Sequence, residues 1–210
     1  MLQVSKIVYS VGNGLYINLT NRCPCACDFC IRKNGDTVGA SGSLWLDRET
    51  TVDEVEAALT EVDPSRYSEV VFCGYGEPTE RLADLLTVAG WLKSRYPQVR
   101  LRVNTNGLSD LIAGEPTAAR FGGLIDSVSI SLNAASAEEY LSLCHPKFGL
   151  RSYDAMLHFA KEVARYVPSV TMTIVKMPDT PDSKVAECRK ICDGIEVPLR
   201  VRQWIGKCRT

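Results

Sequence analysis

The chain has 210 residues, 45% hydrophobic and 23% charged, with 24 basic against 25 acidic side chains. This is an ordinary globular composition, long enough to bury a real core, and it lacks the basic excess that advertises a nucleic-acid binder. No run is long and apolar enough to span a membrane, and the opening MLQVSKIVYS has neither an apolar core nor a small-residue cleavage site, so a cytoplasmic protein is expected.

In chain order, a weak extended run over 4–10 precedes a strand over 15–20 (LYINLT). A cysteine-rich loop follows, then a long Gly-containing loop from Ile31 to Thr50 that carries the apolar Leu44-Trp45-Leu46. That loop is expected to be a lid, or to plug the fold with Trp45. Residues 51–62 place Val52, Val55, Leu59 and Val62 on one helical face. A strand over 69–73 leads to a helix over 79–95 with Thr79 as N-cap, and a strand over 99–104 follows.

The strand over 126–132 is followed by a helix over 136–144, where Ser136 and Glu139 have the spacing of a capping box. Ser152 is expected to cap a helix over 152–167. A strand over 169–175 precedes a helix capped by Thr180, with Pro181 at its first position and Gly194 at its stop. The last strand is 197–202. Six strands alternating with helices imply a parallel sheet with helices outside, an α/β fold. The best fit is an incomplete (β/α)6 TIM-like barrel, with a flat doubly wound sheet as the alternative. The whole chain, 1–210, is expected to form one domain.

Nine cysteines stand out, four of them within residues 23–30. Crowding of this kind in a chain without an export signal points to metal or redox chemistry before disulfides. Cys23, Cys27 and Cys30 are spaced so that three thiolates can wrap one face of an iron–sulfur cube and leave one iron open. The alternative is a zinc site using Cys23, Cys25, Cys27 and Cys30, although structural zinc usually takes ligands from two separated pairs. Cys25 is expected to point away from its neighbours, as alternate residues of an extended segment do.

Three further motifs end strands: Gly74-Tyr75-Gly76-Glu77-Pro78, Asn104-Thr105-Asn106-Gly107 and Ser129-Ile130-Ser131-Leu132-Asn133. In a parallel barrel those ends share one rim, and that rim carries the active site. Strand alternation sends Tyr16, Asn18 and Thr20 inward, together with Arg102 and Asn104, Ser129, Ser131 and Asn133, and Arg200 and Arg202. Inward arginines are costly unless they meet an anion, so Arg102, Arg200 and Arg202 are substrate-side candidates. The competing reading is an edge strand whose arginines are solvated. Cys144, beside His145, is a further substrate-side candidate. Cys188 and Cys192 share a helix face and are expected in the core; an auxiliary cluster with Cys208 is the alternative.

The cysteine spacing, with the aromatic Phe29 just before Cys30, resembles the signature of the radical S-adenosylmethionine (SAM) superfamily. The resemblance implies a 4Fe–4S cluster held by Cys23, Cys27 and Cys30, and SAM chelated to its open iron. It also implies SAM contacts from Phe29, from Gly74, Tyr75, Gly76 and Glu77, and from Asn104, Ser131 and Asn133. The match of the Gly-Glu-Pro stretch is strict only at Gly76, Glu77 and Pro78. Reductive cleavage of SAM would yield a 5′-deoxyadenosyl radical, with reduced flavodoxin or ferredoxin as electron donor. Segments along nearly the whole chain, among them Phe72–Leu82, Pro146–Gly149 and Val197–Arg202, look like the TatD family-associated radical SAM proteins, implying a functional link to a TatD-type hydrolase. A radical-installing activase and a non-catalytic electron-transfer module are the competing functions.

Overall fold

The structure is a computed structural model that describes residues 6–33 and 42–204. Seven strands form one sheet in sequential order: β1 (Val8–Val11), β2 (Gly14–Ile17), β3 (Glu69–Phe72), β4 (Leu101–Thr105), β5 (Ser127–Ser131), β6 (Ser169–Lys176) and β7 (Leu199–Gln203). β1 and β2 pair antiparallel; every later pair is parallel. The sheet stays open, with β1 and β7 at its edges, so the expected incomplete barrel of six parallel strands is present with an added hairpin strand. The hairpin turns through Gly12 (φ 59°) and Asn13, a two-residue turn that tolerates left-handed backbone.

Strand alternation builds the two layers. Leu15, Ile17, Val70, Phe72, Leu101, Val103, Val128, Ile130, Met172 and Ile174 belong to the single main core, together with the buried faces of the helices. The opposite parity faces the barrel axis. Register aligns Tyr16, Val71 and Arg102 in one row; Asn104, Ser129 and Thr171 in a second; and Ser131, Thr173 and Arg200 in a third. The barrel axis is therefore polar while the helix side is apolar, which fits a barrel built to hold a polar ligand.

The helices are α1 (Val52–Val62), α2 (Leu82–Arg95), α3 (Ser109–Ala113), α4 (Ala137–Cys144), α5 (Arg151–Val163) and α6 (Asp182–Gly194). Their starts correct several expectations. α1 begins with a full capping box, Thr51 with Glu54, that the T-x-x-E spelling announces. Thr79 does not cap α2: Pro78–Arg81 forms a 3₁₀ turn first, and the Thr79 hydroxyl donates to Glu77. Ser152 lies inside α5, buried, and Thr180 accepts from Met177 N rather than capping α6, whose N-cap position is Pro181. At α4 only half of the box forms. Ser136 accepts from Glu139 N, but the Glu139 carboxylate reaches Ala135 N instead. The short α3 ends at the left-handed Gly114.

Candidate functional site

The loop after β2 carries the cysteines, and three neighbours hold it in place. From the β1 side, Asn18 is fully buried and donates to Lys6 O at 3.0 Å and Leu44 O at 2.6 Å while accepting from Tyr75 N at 3.2 Å. From the β3 side, Glu77 N donates to Arg22 O at 2.8 Å. A side chain on Gly74 would collide with Asn18, and one on Gly76 with the carbonyls of Thr20 and Arg22, so both glycines permit this close approach of two loops. From the α4 side, Ala26 N and Asp28 N donate to Cys144 O and Leu143 O, both at 3.0 Å, and Lys147 N donates to Pro24 O at 2.7 Å. Two of the carbonyls that a helix leaves free at its C-terminus, those of Leu143 and Cys144, are thereby taken up by the cysteine loop.

Cys23, Cys25, Cys27 and Cys30 are all unbridged and half-buried. The Cys25 thiol does not turn away from its neighbours; it interacts with both Cys23 and Cys27, with the Tyr140 hydroxyl 3.9 Å away and Asn106 Nδ2 at 3.8 Å. The segment is a tight loop rather than an extended strand, so alternation does not apply. Hydrogen bonding from Cys144, and then from Cys25, holds the Cys27 thiol down at about 4, while burial pushes Cys30 up.

Among the described residues no three His, Cys, Asp or Glu side chains converge on a point where one ion could sit. A single zinc ion needs such convergence. A cube takes each thiolate on a different iron, so three thiols on one loop fit it without meeting at a point. Cys188 and Cys192 are fully buried in the main core, as expected, and Cys208 lies outside the described residues.

A cavity of about 620 Å³ opens beside this loop. Of the residues singled out in the sequence, Phe29, Gly74, Tyr75, Asn104, Ser131, Asn133, Arg102, Arg200 and Arg202 all line it, and so does Cys30. Two expectations are revised. Glu77 and Gly76 do not line it: the Glu77 carboxylate is buried and accepts from Thr79 N and Oγ1, Thr105 Oγ1 and Asn106 N, at 2.7–3.1 Å. Burial pushes its pKa up and those four donors oppose the shift. These bonds tie the turn between β3 and α2 to the end of β4. Cys144, the substrate-side candidate, is buried behind the cysteine loop at the end of α4 and also does not line the cavity.

The arginines are unequal. Arg102 pairs with Glu69 at 2.7 Å; Arg200 donates to Ser129 Oγ at 3.1 Å. Arg200 and Arg202 are exposed, as the edge reading required, yet both line the cavity, so the two readings describe one arrangement. Of the loop expected to be a lid or a plug, Leu44 is buried and lines the cavity, and Trp45 meets Tyr75 edge-on at 5.1 Å with the Arg32 guanidinium 4.9 Å from its ring; residues 34–41 lie outside the described residues. Sequence reading missed Tyr9, which donates to Cys73 O at 2.9 Å and stacks on Tyr16 at 5.3 Å, and Trp204, which sits two residues beyond Arg202 on the same strand parity. Cys73 also lines the cavity, its thiol pushed up by burial and drawn down by Asn104.

Comparison with known proteins agrees with this geometry. Residues 17–191 match the family model of the radical SAM superfamily. Two curated relatives, GTP 3′,8-cyclases from two strains of Corynebacterium glutamicum, are 31% and 30% identical over 211 aligned positions, covering 92% of this chain and 52% of each relative. The chain thus spans about half the length of the curated relatives it matches. Among solved structures, a radical SAM methyltransferase from Sphaerobacter thermophilus superposes with a TM-score of 0.64 at 16% identity, covering 93% of this chain and 68% of that one. The structure titled native anSMEcpe with bound AdoMet gives 0.62 at 16%, covering 91% and 51%. At that identity the likeness is one of fold. No helix among the described residues is long and apolar enough to cross a membrane.

Proposed function

The chain belongs to the radical SAM superfamily, whose members use a 4Fe–4S cluster and SAM, and on that premise we propose that it is an enzyme that generates a 5′-deoxyadenosyl radical to take hydrogen from an anionic, nucleotide-like substrate. When bound, the cluster and SAM supply the electron transfer and carbon–sulfur cleavage that release methionine and the radical. Cys23, Cys27 and Cys30 hold the cluster. Phe29, beside the last ligand, gives the cavity an apolar wall next to it, and the backbone of Gly74 and Tyr75 forms the adjoining side. Asn104, Ser131 and Asn133 offer polar contacts to SAM. Arg102, Arg200 and Arg202 grip the anionic end of the substrate, as guanidinium forks do with carboxylates and phosphates. Leu44 adds a buried apolar side chain to the cavity wall.

One observation carries this reading. Buried polar side-chain atoms almost always have partners. Among the described residues four lack one, and three of those four, Arg102 Nε, Asn104 Oδ1 and Trp204 Nε1, belong to residues lining this one cavity. Residues with unspent hydrogen-bonding capacity are thus concentrated around this one cavity, which suits a polar ligand with an anionic part. The kinship with GTP 3′,8-cyclases supports a nucleotide-like one. We assign the reductant to the flavodoxin or ferredoxin class, and pairing with a TatD-type hydrolase rests on the sequence motifs alone.

The test is direct. The chain is purified without air, reconstituted with iron and sulfide, and given dithionite and SAM. The reading expects 5′-deoxyadenosine and methionine in equal amounts. Protein that carries its cluster and leaves SAM intact overturns it in favour of an electron-transfer module.

A further inference from the structure

The barrel has a second opening, at the end remote from the cysteine loop. A pocket of about 230 Å³ lies there, among residues at the beginnings of the parallel strands: Glu69, Arg100, Ser127 and Ser169. Its roof is formed by Arg102 and Arg200, which also line the large cavity above. Three guanidiniums therefore surround the pocket, and the only carboxylate among its lining residues is Glu69. Glu69 is already committed to Arg102 through Nη2, which leaves Arg102 Nε buried without a partner. Arg200 spends one nitrogen on Ser129. The remaining lining is rich in hydroxyls, from Ser127, Ser169 and Thr171, each able to donate.

Like charges gathered in this way repel one another, and the effect is visible at Arg200: burial, then Arg102, then Arg202 draw its pKa below the usual guanidinium value. Such a cluster is stable alone only if water screens it, and it is stabilised further by an anion that accepts from several guanidiniums at once. The pocket is smaller than the sites that hold drug-sized molecules, and its lining offers almost nothing apolar.

We propose that the floor of the barrel is a second binding site, for a phosphate-class oxyanion held by Arg100, Arg102 and Arg200 with the hydroxyls of Ser127, Ser169 and Thr171. Arg102 and Arg200 form a shared partition, so occupancy of the floor orients the same guanidiniums that face the large cavity. The oxyanion is either a free phosphate or the terminal phosphate of a longer molecule that threads between the two arginines from above. The site does not depend on radical chemistry, and its test does not need turnover.

Titration calorimetry of the full reconstituted chain with inorganic phosphate at low ionic strength tests it. Wild type is expected to bind phosphate saturably at the floor, and Arg100→Met to weaken that binding about tenfold, as befits loss of one charge-assisted contact. Arg100 is exposed, so its replacement is expected to leave the melting temperature unchanged; Ser169→Ala, a smaller change, is expected to weaken binding about threefold. Arg202→Met is expected to leave the Arg100-dependent phosphate binding as in wild type, because Arg202 lines the upper cavity and not the floor pocket. Tripolyphosphate separates the two sources: dependence on both Arg100 and Arg202 identifies a threaded tail, and dependence on Arg100 alone a free ion. Absence of saturable phosphate binding, or binding indifferent to Arg100 and Ser169, overturns the proposal.

Discussion

The two sides of the barrel mouth are built in opposite ways. In the loops after β2 and β3 the polar groups that fix the cysteine loop are satisfied within the protein, whereas Arg102 Nε and Asn104 Oδ1 on β4 have no partner among the described residues. Asn18 ties the β1 edge to the glycine loop, Glu77 collects four donors, and α4 spends its last carbonyls on the cysteine loop. On the side of β7, an exposed edge strand presents Arg200 with a single serine partner and Trp204 Nε1 with none. The difference separates two tasks. A loop that must hold a heavy cofactor is prefixed by backbone hydrogen bonds, so that the ligands lose little freedom on binding. A wall proposed to meet a diffusible substrate gains from keeping its donors unspent, because a group already paired has nothing left to give.

That contrast can be broken most severely at the cysteines. Cys23→Ser, Cys27→Ser and Cys30→Ser are each expected to abolish iron retention and 5′-deoxyadenosine formation, while Cys25→Ser keeps both. Iron analysis and visible absorption of the four variants check this, and loss of iron from Cys25→Ser would assign four ligands instead of three. Next in size is Gly76→Ala. Its new methyl collides with the Thr20 and Arg22 carbonyls, which are backbone and cannot yield, so a loss of about 3 kcal/mol is expected, read as a lowered denaturation midpoint. Glu77→Gln is smaller. Its amide would aim a donor at Asn106 N–H or at the threonine hydroxyls, and a loss of about 2 kcal/mol is expected in the same assay, with iron still bound.

The sequence made much of this legible, for definite reasons. The period-two alternation in 126–133 and the inward parity of Arg102, Asn104, Arg200 and Arg202 hold in the structure, because a sheet with one polar and one apolar face leaves only one register open to each strand. The β1–β2 hairpin was not anticipated: its Gly12-Asn13 pair suits a two-residue turn, but the extended run before it has little alternation to mark a strand. Other features depend on residues far apart in sequence. Nothing around Cys144 announces that α4 ends against a loop more than a hundred residues earlier. Glu77 lies in a motif that suggests ligand contact, and its burial follows only when Thr105 and Asn106 arrive from the next strand. Helix starts failed where a hydroxyl had a nearer partner, as at Thr79 and Thr180.

The finest test of the contrast lies at Trp204. Replacement by Phe keeps a large aromatic ring against the cavity and removes only the indole N–H, which bonds to nothing among the described residues. Stability should then change by less than about 0.5 kcal/mol, since no internal bond is lost. If that N–H is held for an anionic substrate, tripolyphosphate should bind Trp204→Phe roughly three- to tenfold more weakly than wild type, the worth of one hydrogen bond, measured by titration calorimetry. Glu77→Gln should do the reverse, losing stability while keeping affinity for the same probe. A Trp204→Phe protein that melts early and binds normally would mean that β7, like the opposite side of the mouth, spends its donors on the fold.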